Sequence, residues 1–374
     1  MRRRLIGLLL ALGLLCGCGG AEAPPSAETA ETPALTGSME LRYAEQFSVE
    51  YYNDGSALLT IAGTDRFLVA PEDWEGETDC PVLRRPLDKL YVAASSAMDH
   101  FVQLGAMDTV RFTSTAETNW GLPEVREAIE KETLLYAGKY SAPDFELLLS
   151  EGCALAVEST MIWHSPEVKE KLEALGVPVL VERSSYEPHP LGRVEWIKLY
   201  GLLLGREAEA EAFFDDQVRL LEGLDTLPAG EQTVAFFHIS STGAAVVRKP
   251  GDYISKMIAL AGGKYVFDGL PGVEDNALST MNMQFEAFYA GARDADVLIY
   301  NSAIDGALET LDELLQKSPL LVDFKAVQSG NVWCTEHDMF QRSTAAAGMI
   351  ADFNAVLSAH AAAPDQLTFL HRLK

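Results

Sequence analysis

From residue 87 to residue 361 short apolar, β-rich runs alternate with longer amphipathic stretches, and this rhythm limits the chain's architecture more than any other feature. The first runs lie at 90–95, 109–113, 133–138, 153–159 and 177–182. Helical candidates separate them, at 143–152 and 165–176. The second of these sets Val168, Leu172 and Leu175 on one helical face. Strand alternating with helix predicts an α/β lobe with a mostly parallel sheet. The same rhythm returns at 233–240, 244–249, 295–302 and 331–336, with helices expected over 253–260 and 343–361. Between the two series, 193–204 reads as a helix closed by Gly205. Residues 206–224 are rich in Ala, Glu, Leu and Arg, good helix formers. A helix there spans roughly 28 Å at its usual rise and suits a stiff connector. The expected fold class is therefore α/β: two α/β lobes (85–205 and 226–374) joined by one long helix (206–225).

The first 84 residues follow other rules. Residues 41–84 alternate like short strands. Asn53-Asp54-Gly55 between two apolar runs is a hairpin signal, so a small β-rich extension is expected. At the start, three arginines precede an apolar run at 5–15 that is too short to span a bilayer. Leu15-Cys16-Gly17-Cys18 resembles the bacterial lipobox, with a signal peptide at 1–17 and lipid on Cys18. Cys16 fits worse, because Leu15 before it is bulky. Residues 18–40 then read as the lipidated cysteine and a tether rich in Ala, Glu, Pro, Thr and Ser, unable to bury a core. The expected location is extracytoplasmic, on the bacterial cell membrane through a lipid anchor.

Composition excludes several classes. With 48% hydrophobic residues, about 335 residues beyond the tether suffice for two ordinary lobes. The formal net charge is −26, and losing the signal arginines makes it more negative. Such a chain is a poor partner for nucleic acid or an anionic lipid surface. Cys80, Cys153 and Cys334 match no zinc spacing, and no disulfide is assigned to them. The mature chain contains no Gly-x-Ser-x-Gly, His-Glu-x-x-His, Walker or Gly-x-Gly-x-x-Gly motif, so no enzyme activity is expected. Seven scattered histidines weigh against a free-metal binder, which needs clustered His and carboxylate ligands.

Residues 143–159 and 283–302 are similar to each other. Each carries Phe-Glu, an apolar helix face and a strand ending in Ser. Stretches at 95–105, 138–150, 177–214, 251–267 and 318–336, taken in order, resemble the iron-chelate and cobalamin periplasmic-binding family, the helical-backbone solute-binding proteins of ABC importers. The resemblance covers roughly residues 85–360; the extension at 41–75 lies outside it. It implies a monomer with a ligand cleft between the lobes, no intrinsic cofactor, and an ABC permease dimer with its ATPase subunits as partner. It also implies one acidic permease contact per lobe, carried by motif onto Glu146 and Glu286. Two carboxylates on opposite lobes would orient docking by charge.

Ligands of such sheets bind near loops that follow strand C-termini. That nominates Ser95, Ser96 and Met98; Lys139 and Tyr140; Ser159, Thr160, Met161, Trp163 and His164; and Arg183, Tyr186, Glu187 and His189. The second lobe adds His238, Ser240, Asn301, Glu336, His337, Met339, Phe340 and Arg342. Aromatic and Met side chains suit a broad apolar ligand face, and Arg183 or Arg342 suits its anionic groups. Arg193 is expected only to cap or ion-pair the helix it opens. An iron chelate (siderophore or haem) is the favoured ligand, with a corrinoid as the alternative.

Overall fold

The computed structural model describes residues 33–224, 232–271, 273, 279–304, 306–359 and 364–374. The expected signal peptide, Cys18 and most of the expected tether lie outside these residues. Two α/β lobes and an N-terminal β-sheet make up the described chain.

The first lobe has a five-stranded sheet in the order 179–182, 156–159, 90–92, 110–113, 135–136, every neighbouring pair parallel. Each strand falls within a run expected from the sequence. Helix Phe145–Glu151 precedes strand Ala156–Ser159, and helix Pro166–Ala174 precedes Val179–Glu182. Val168 and Leu172 are buried as their spacing predicts. Leu175 is 40% exposed, because the helix has ended by then.

The second lobe has a central strand, Thr233–Ile239, flanked in parallel by Val297–Tyr300, which in turn pairs in parallel with Val332–Thr335. Antiparallel strands extend both sides: Ala245–Arg248 with Thr280–Met283 on one, Leu370–Arg372 on the other. The last two are too short and mixed in polarity for alternation to announce them. The pair of lobes repeats one plan. In each, a helix beginning Phe-Glu (Phe145–Glu151, Phe285–Ala292) leads to the strand beside the lobe's first strand.

Between the lobes run two helices, Pro190–Leu204 and Glu207–Leu224. The second is the expected connector, of 18 residues and about 27 Å. The first is buried along its whole length, its charged Arg193, Glu195 and Lys198 included, so its apolar residues run all round it rather than in one stripe. Gly205 takes a left-handed φ of 66° to close it. Gly201 allows the two helices to meet: a Cβ there would lie 2.6 Å from Ala210 Cβ.

The N-terminal sheet has five strands: Leu35–Ser38, Phe47–Tyr52, Ala57–Ile61, Asp65–Pro71 and Val82–Arg85, antiparallel except for the last pair. One correction follows. The tether was expected to reach residue 40, yet 35–38 pairs with the next strand, because backbone hydrogen bonds hold a segment with no core-forming side chains. The sheet packs into the main core. Phe47, Val49, Leu59, Ile61 and Val69 join the same core as Trp196, Leu199 and Leu203 of the buried helix. Phe47 meets Trp196 edge to face at 5.1 Å.

Two buried carboxylates fasten this sheet. Glu195 accepts backbone N–H bonds from Arg42, Tyr43 and Ala44 at 2.8–3.0 Å, and Lys198 Nζ lies 3.2 Å away. Glu187 accepts from Glu45 and Gln46 N–H and from Trp196 Nε1. A fully buried carboxylate is tolerable only with such donors.

Candidate functional site

The segment 338–344 of the second lobe touches the first lobe directly. Ser343 Oγ donates to the Ser96 carbonyl at 2.5 Å. Thr344 donates its N–H and hydroxyl to Asp99 Oδ2 at 2.9 and 2.5 Å. Gln341 accepts from Gly121 N–H and donates to the Asn119 carbonyl. Gly121 is required there, since a Cβ would lie 2.2 Å from Asp338 Cβ.

Beside this clasp lies a cavity of about 10 Å³, lined by Arg193, Tyr253, Met257, Met339, Phe340, Arg342, Ser343, Ala346 and Met349. That volume holds about one water. Any larger ligand group needs the lining to move, and 338–344 supplies four of its nine residues. Arg193 is 5% exposed. Its guanidinium lies 3.9 Å over the Tyr253 ring, its Nε has no hydrogen-bond partner, and no carboxylate among the described residues pairs with it. Arg248 flanks the opposite partners, 4.8 Å from Phe340 and 5.8 Å from Tyr253, and contacts Asp252 at 3.5 Å. Arg342 is held by Asp338 at 2.6 Å. Two guanidiniums thus bracket the Tyr253–Phe340 pair, with Arg342 in the same lining and two carboxylates to balance the three. Burial pushes the Tyr253 hydroxyl above its ordinary pKa, so it stays a neutral donor.

A second cluster lies on the first lobe, where strands Ala156–Ser159 and Val179–Glu182 end. Trp163 is 49% exposed and Met161 48%. The Arg183 guanidinium sits 5.3 Å from the Trp163 ring and 4.8 Å from Tyr186, and no described carboxylate pairs with it. Thr160 is half-buried beside them, and Ser159 caps the short helix Thr160–His164 by accepting from Met161 N–H.

The remaining nominated residues have other tasks or other surroundings. Met98 is fully buried in the core: it opens helix Met98–Gln103 with its side chain inward, away from any cleft. Glu187 is also fully buried and spends both oxygens on the N-terminal sheet and Trp196. Burial raises its pKa, against the pull of those donors. His189 caps the buried helix, Nδ1 accepting from Leu191 N–H at 3.1 Å, and stacks on Tyr43 at 4.5 Å. Burial, then nearby Lys256, lowers its pKa, which keeps it a neutral acceptor. Asn301 is 3% exposed and accepts from Ala303 N–H in its own turn. His238 is buried within its strand. Glu336 pairs with His371 at 3.0 Å and with Gln366. Tyr140 is half-buried against the first lobe's outer core, beside exposed Lys139. Ser96 Oγ donates to Glu182 at 3.3 Å.

The structure therefore brings together Met339, Phe340 and Arg342 on one lobe and Trp163, Arg183 and Tyr186 on the other. Arg193, Tyr253 and Met257 were not foreseen as site residues. Arg193 neither caps nor ion-pairs its helix. The acids of this cluster, Asp252 and Asp338, contact Arg248 and Arg342 instead, a pairing that leaves no periodic trace in the sequence. Glu146 and Glu286 are both exposed, each the second residue of its helix. Among the described residues no group of three or more His, Cys, Asp or Glu could hold a metal ion. None of their helices is long and apolar enough to cross a membrane. Cys80, Cys153 and Cys334 are free, and burial pushes the Cys153 thiol up to about 12.

This is the two-lobed, helix-linked fold of periplasmic binding proteins. A periplasmic haem-binding protein from Pseudomonas aeruginosa superposes with a TM-score of 0.58 at 18% identity, over 77% of this chain and 99% of that one. The petrobactin-binding protein YclQ of Bacillus subtilis gives 0.57 at 12% identity, over 73% and 93%. In sequence, an uncharacterized lipoprotein of Methanocaldococcus jannaschii is 26% identical across 93% of this chain and 90% of its own length. No family model matches the chain.

Proposed function

We propose that the chain is an extracytoplasmic lipoprotein of an ABC importer that takes an anionic iron chelate, a ferric siderophore or haem, between its lobes. The observation that carries this reading is Arg193, 5% exposed beside the interlobe clasp with no carboxylate partner among the described residues. Burying an unpaired cation costs several kcal/mol, a cost an anionic ligand group would offset. It is the more notable in a chain with net charge −26. Arg183, beside two aromatic rings at the strand ends of the first lobe, adds a second cation suited to a flat, negatively charged face. This charge pattern favours an anionic chelate over a corrinoid, whose rim of neutral amides gives guanidiniums less to neutralise. Haem and petrobactin binding by proteins of the same fold supports the ligand class. The lipobox-like Leu15-Cys16-Gly17-Cys18 and the lipoprotein relative support the anchor. Delivery would be to a permease dimer that reads Glu146 and Glu286.

The test is a tryptophan-fluorescence titration of the detergent-solubilised full chain with haem, a ferric tris-catecholate, a ferric hydroxamate and cobalamin. Saturable binding of one or more anionic chelates, weakened by Arg193→Met, is the expected result. Binding of cobalamin alone, or binding indifferent to Arg193→Met, would overturn the assignment.

A further inference from the structure

The N-terminal sheet, which the resemblance leaves without a role, reaches Arg183 through one side chain. Gln46 precedes strand Phe47–Tyr52 and is clamped on both sides of its backbone. Its N–H donates to Glu187 Oε1 at 3.0 Å, and its carbonyl accepts from Ala62 N–H at 2.7 Å. Its neighbour Phe47 is locked against Trp196. From this fixed point the Gln46 side-chain oxygen accepts a 3.1 Å hydrogen bond from Arg183 Nε. It is the one side-chain hydrogen bond Arg183 makes to a described residue, and it uses one of five guanidinium N–H donors.

We infer that the N-terminal sheet is part of the ligand site, with Gln46 as the positioning residue that holds Arg183 across Trp163 and Tyr186. This rests on the proposed role of Arg183 as a ligand contact. The chemistry of the partner matters. A long side chain with several rotors loses much entropy on being fixed, and an acceptor on a rigid strand removes most of that cost before a ligand arrives. A carboxylate at position 46 would fix Arg183 as well but would cancel its charge. An amide fixes the guanidinium and leaves the positive charge available, which is what recognition of an anionic, planar chelate requires. Glu187 completes the device, because the same carboxylate that buries Trp196 Nε1 sets the backbone of Gln46.

The test uses the full chain with Gln46→Ala, Gln46→Glu, Arg183→Ala and the Gln46→Ala/Arg183→Ala double variant. Without ligand, the Trp163 contribution to emission, taken as the difference from a Trp163→Phe background, should change in Gln46→Ala as it does in Arg183→Ala. Unfolding midpoints of the Gln46 variants should stay at the wild-type value. With haem and the ferric tris-catecholate as probes, Gln46→Ala should weaken binding about fivefold, the worth of one net hydrogen bond. Gln46→Glu should weaken it more, since it keeps the tether and removes the charge. The double variant should bind no worse than Arg183→Ala alone. Unchanged Trp163 emission in Gln46→Ala overturns the inference, with or without a binding probe. So does wild-type affinity in both Gln46 variants when Arg183→Ala binds weakly, an outcome that leaves the functional reading intact. Wild-type affinity in Arg183→Ala overturns the ligand role of Arg183 and this inference with it.

Discussion

Glu158 should make the protein less stable as pH rises, and Glu158→Gln should abolish that loss. The residue lies on strand Ala156–Ser159 with no exposed surface. Neither carboxylate oxygen has a hydrogen-bond partner, and the nearby buried Tyr91 hydroxyl is likewise unpaired. Burial raises the Glu158 carboxyl from 4.5 to about 8. The folded chain therefore holds a proton that the unfolded chain releases near pH 4.5. Between those two values the native state binds more protons than the unfolded state, so stability falls with pH. The limiting slope is about 1.4 kcal/mol per pH unit. Across the window this amounts to a loss of about 5 kcal/mol, small below the lower value and complete above the upper one. Glutamine has nearly the shape of the protonated acid and does not titrate. Urea unfolding of wild type and Glu158→Gln at about pH 5, 6, 7 and 8 isolates the effect, because other titrating groups cancel in the difference. The variant should match wild type near pH 5 and exceed it increasingly toward pH 8. Parallel pH profiles for the two proteins would refute the reasoning, since they would mean that Glu158 is solvated or paired in the folded chain.

Other outcomes are open to direct measurement. Glu146→Ala combined with Glu286→Ala should leave chelate affinity unchanged and abolish uptake by cells; normal uptake would remove the permease-contact assignment. Cys18→Ala should shift the protein from the membrane pellet to the soluble fraction on ultracentrifugation. Glu187→Ala leaves Trp196 Nε1 and two backbone N–H groups without acceptors. A loss of roughly 3 kcal/mol is expected from such unsatisfied buried donors, read as a lower urea midpoint and faster proteolysis within 33–85. Arg193→Met should raise the stability of the unliganded protein while weakening chelate binding, because it removes an uncompensated buried charge; a fall in both would point to a structural cation.

Much of the architecture is legible in the chain because parallel strands buried on both faces need continuous apolar runs, as in 177–182 and 295–302. The match of Phe145-Glu146 to Phe285-Glu286 exposes the repeated plan, since helix entry and strand spacing are local. The hairpin at Asn53-Asp54-Gly55 is legible for the same reason, with Gly55 at a φ of 81°. Trp163, Arg183 and Tyr186 could be nominated because they follow strand ends. Charge compensation could not be read, because spacing alone does not show which charged side chains meet in the fold. Arg193 and Arg248 look alike as residues, yet Arg248 finds Asp252 and Arg193 finds only the Tyr253 face. Glu187 and Glu195 look like surface acids, but one strand-to-helix crossing buries them beneath the backbone of 42–46. By itself, then, the sequence determined the elements and their α/β order, through local periodicity. Only the tertiary structure decided which charges remain unpaired, since that depends on how side chains meet in the fold, and that the N-terminal sheet reaches Arg183 through Gln46, a contact between residues 137 positions apart.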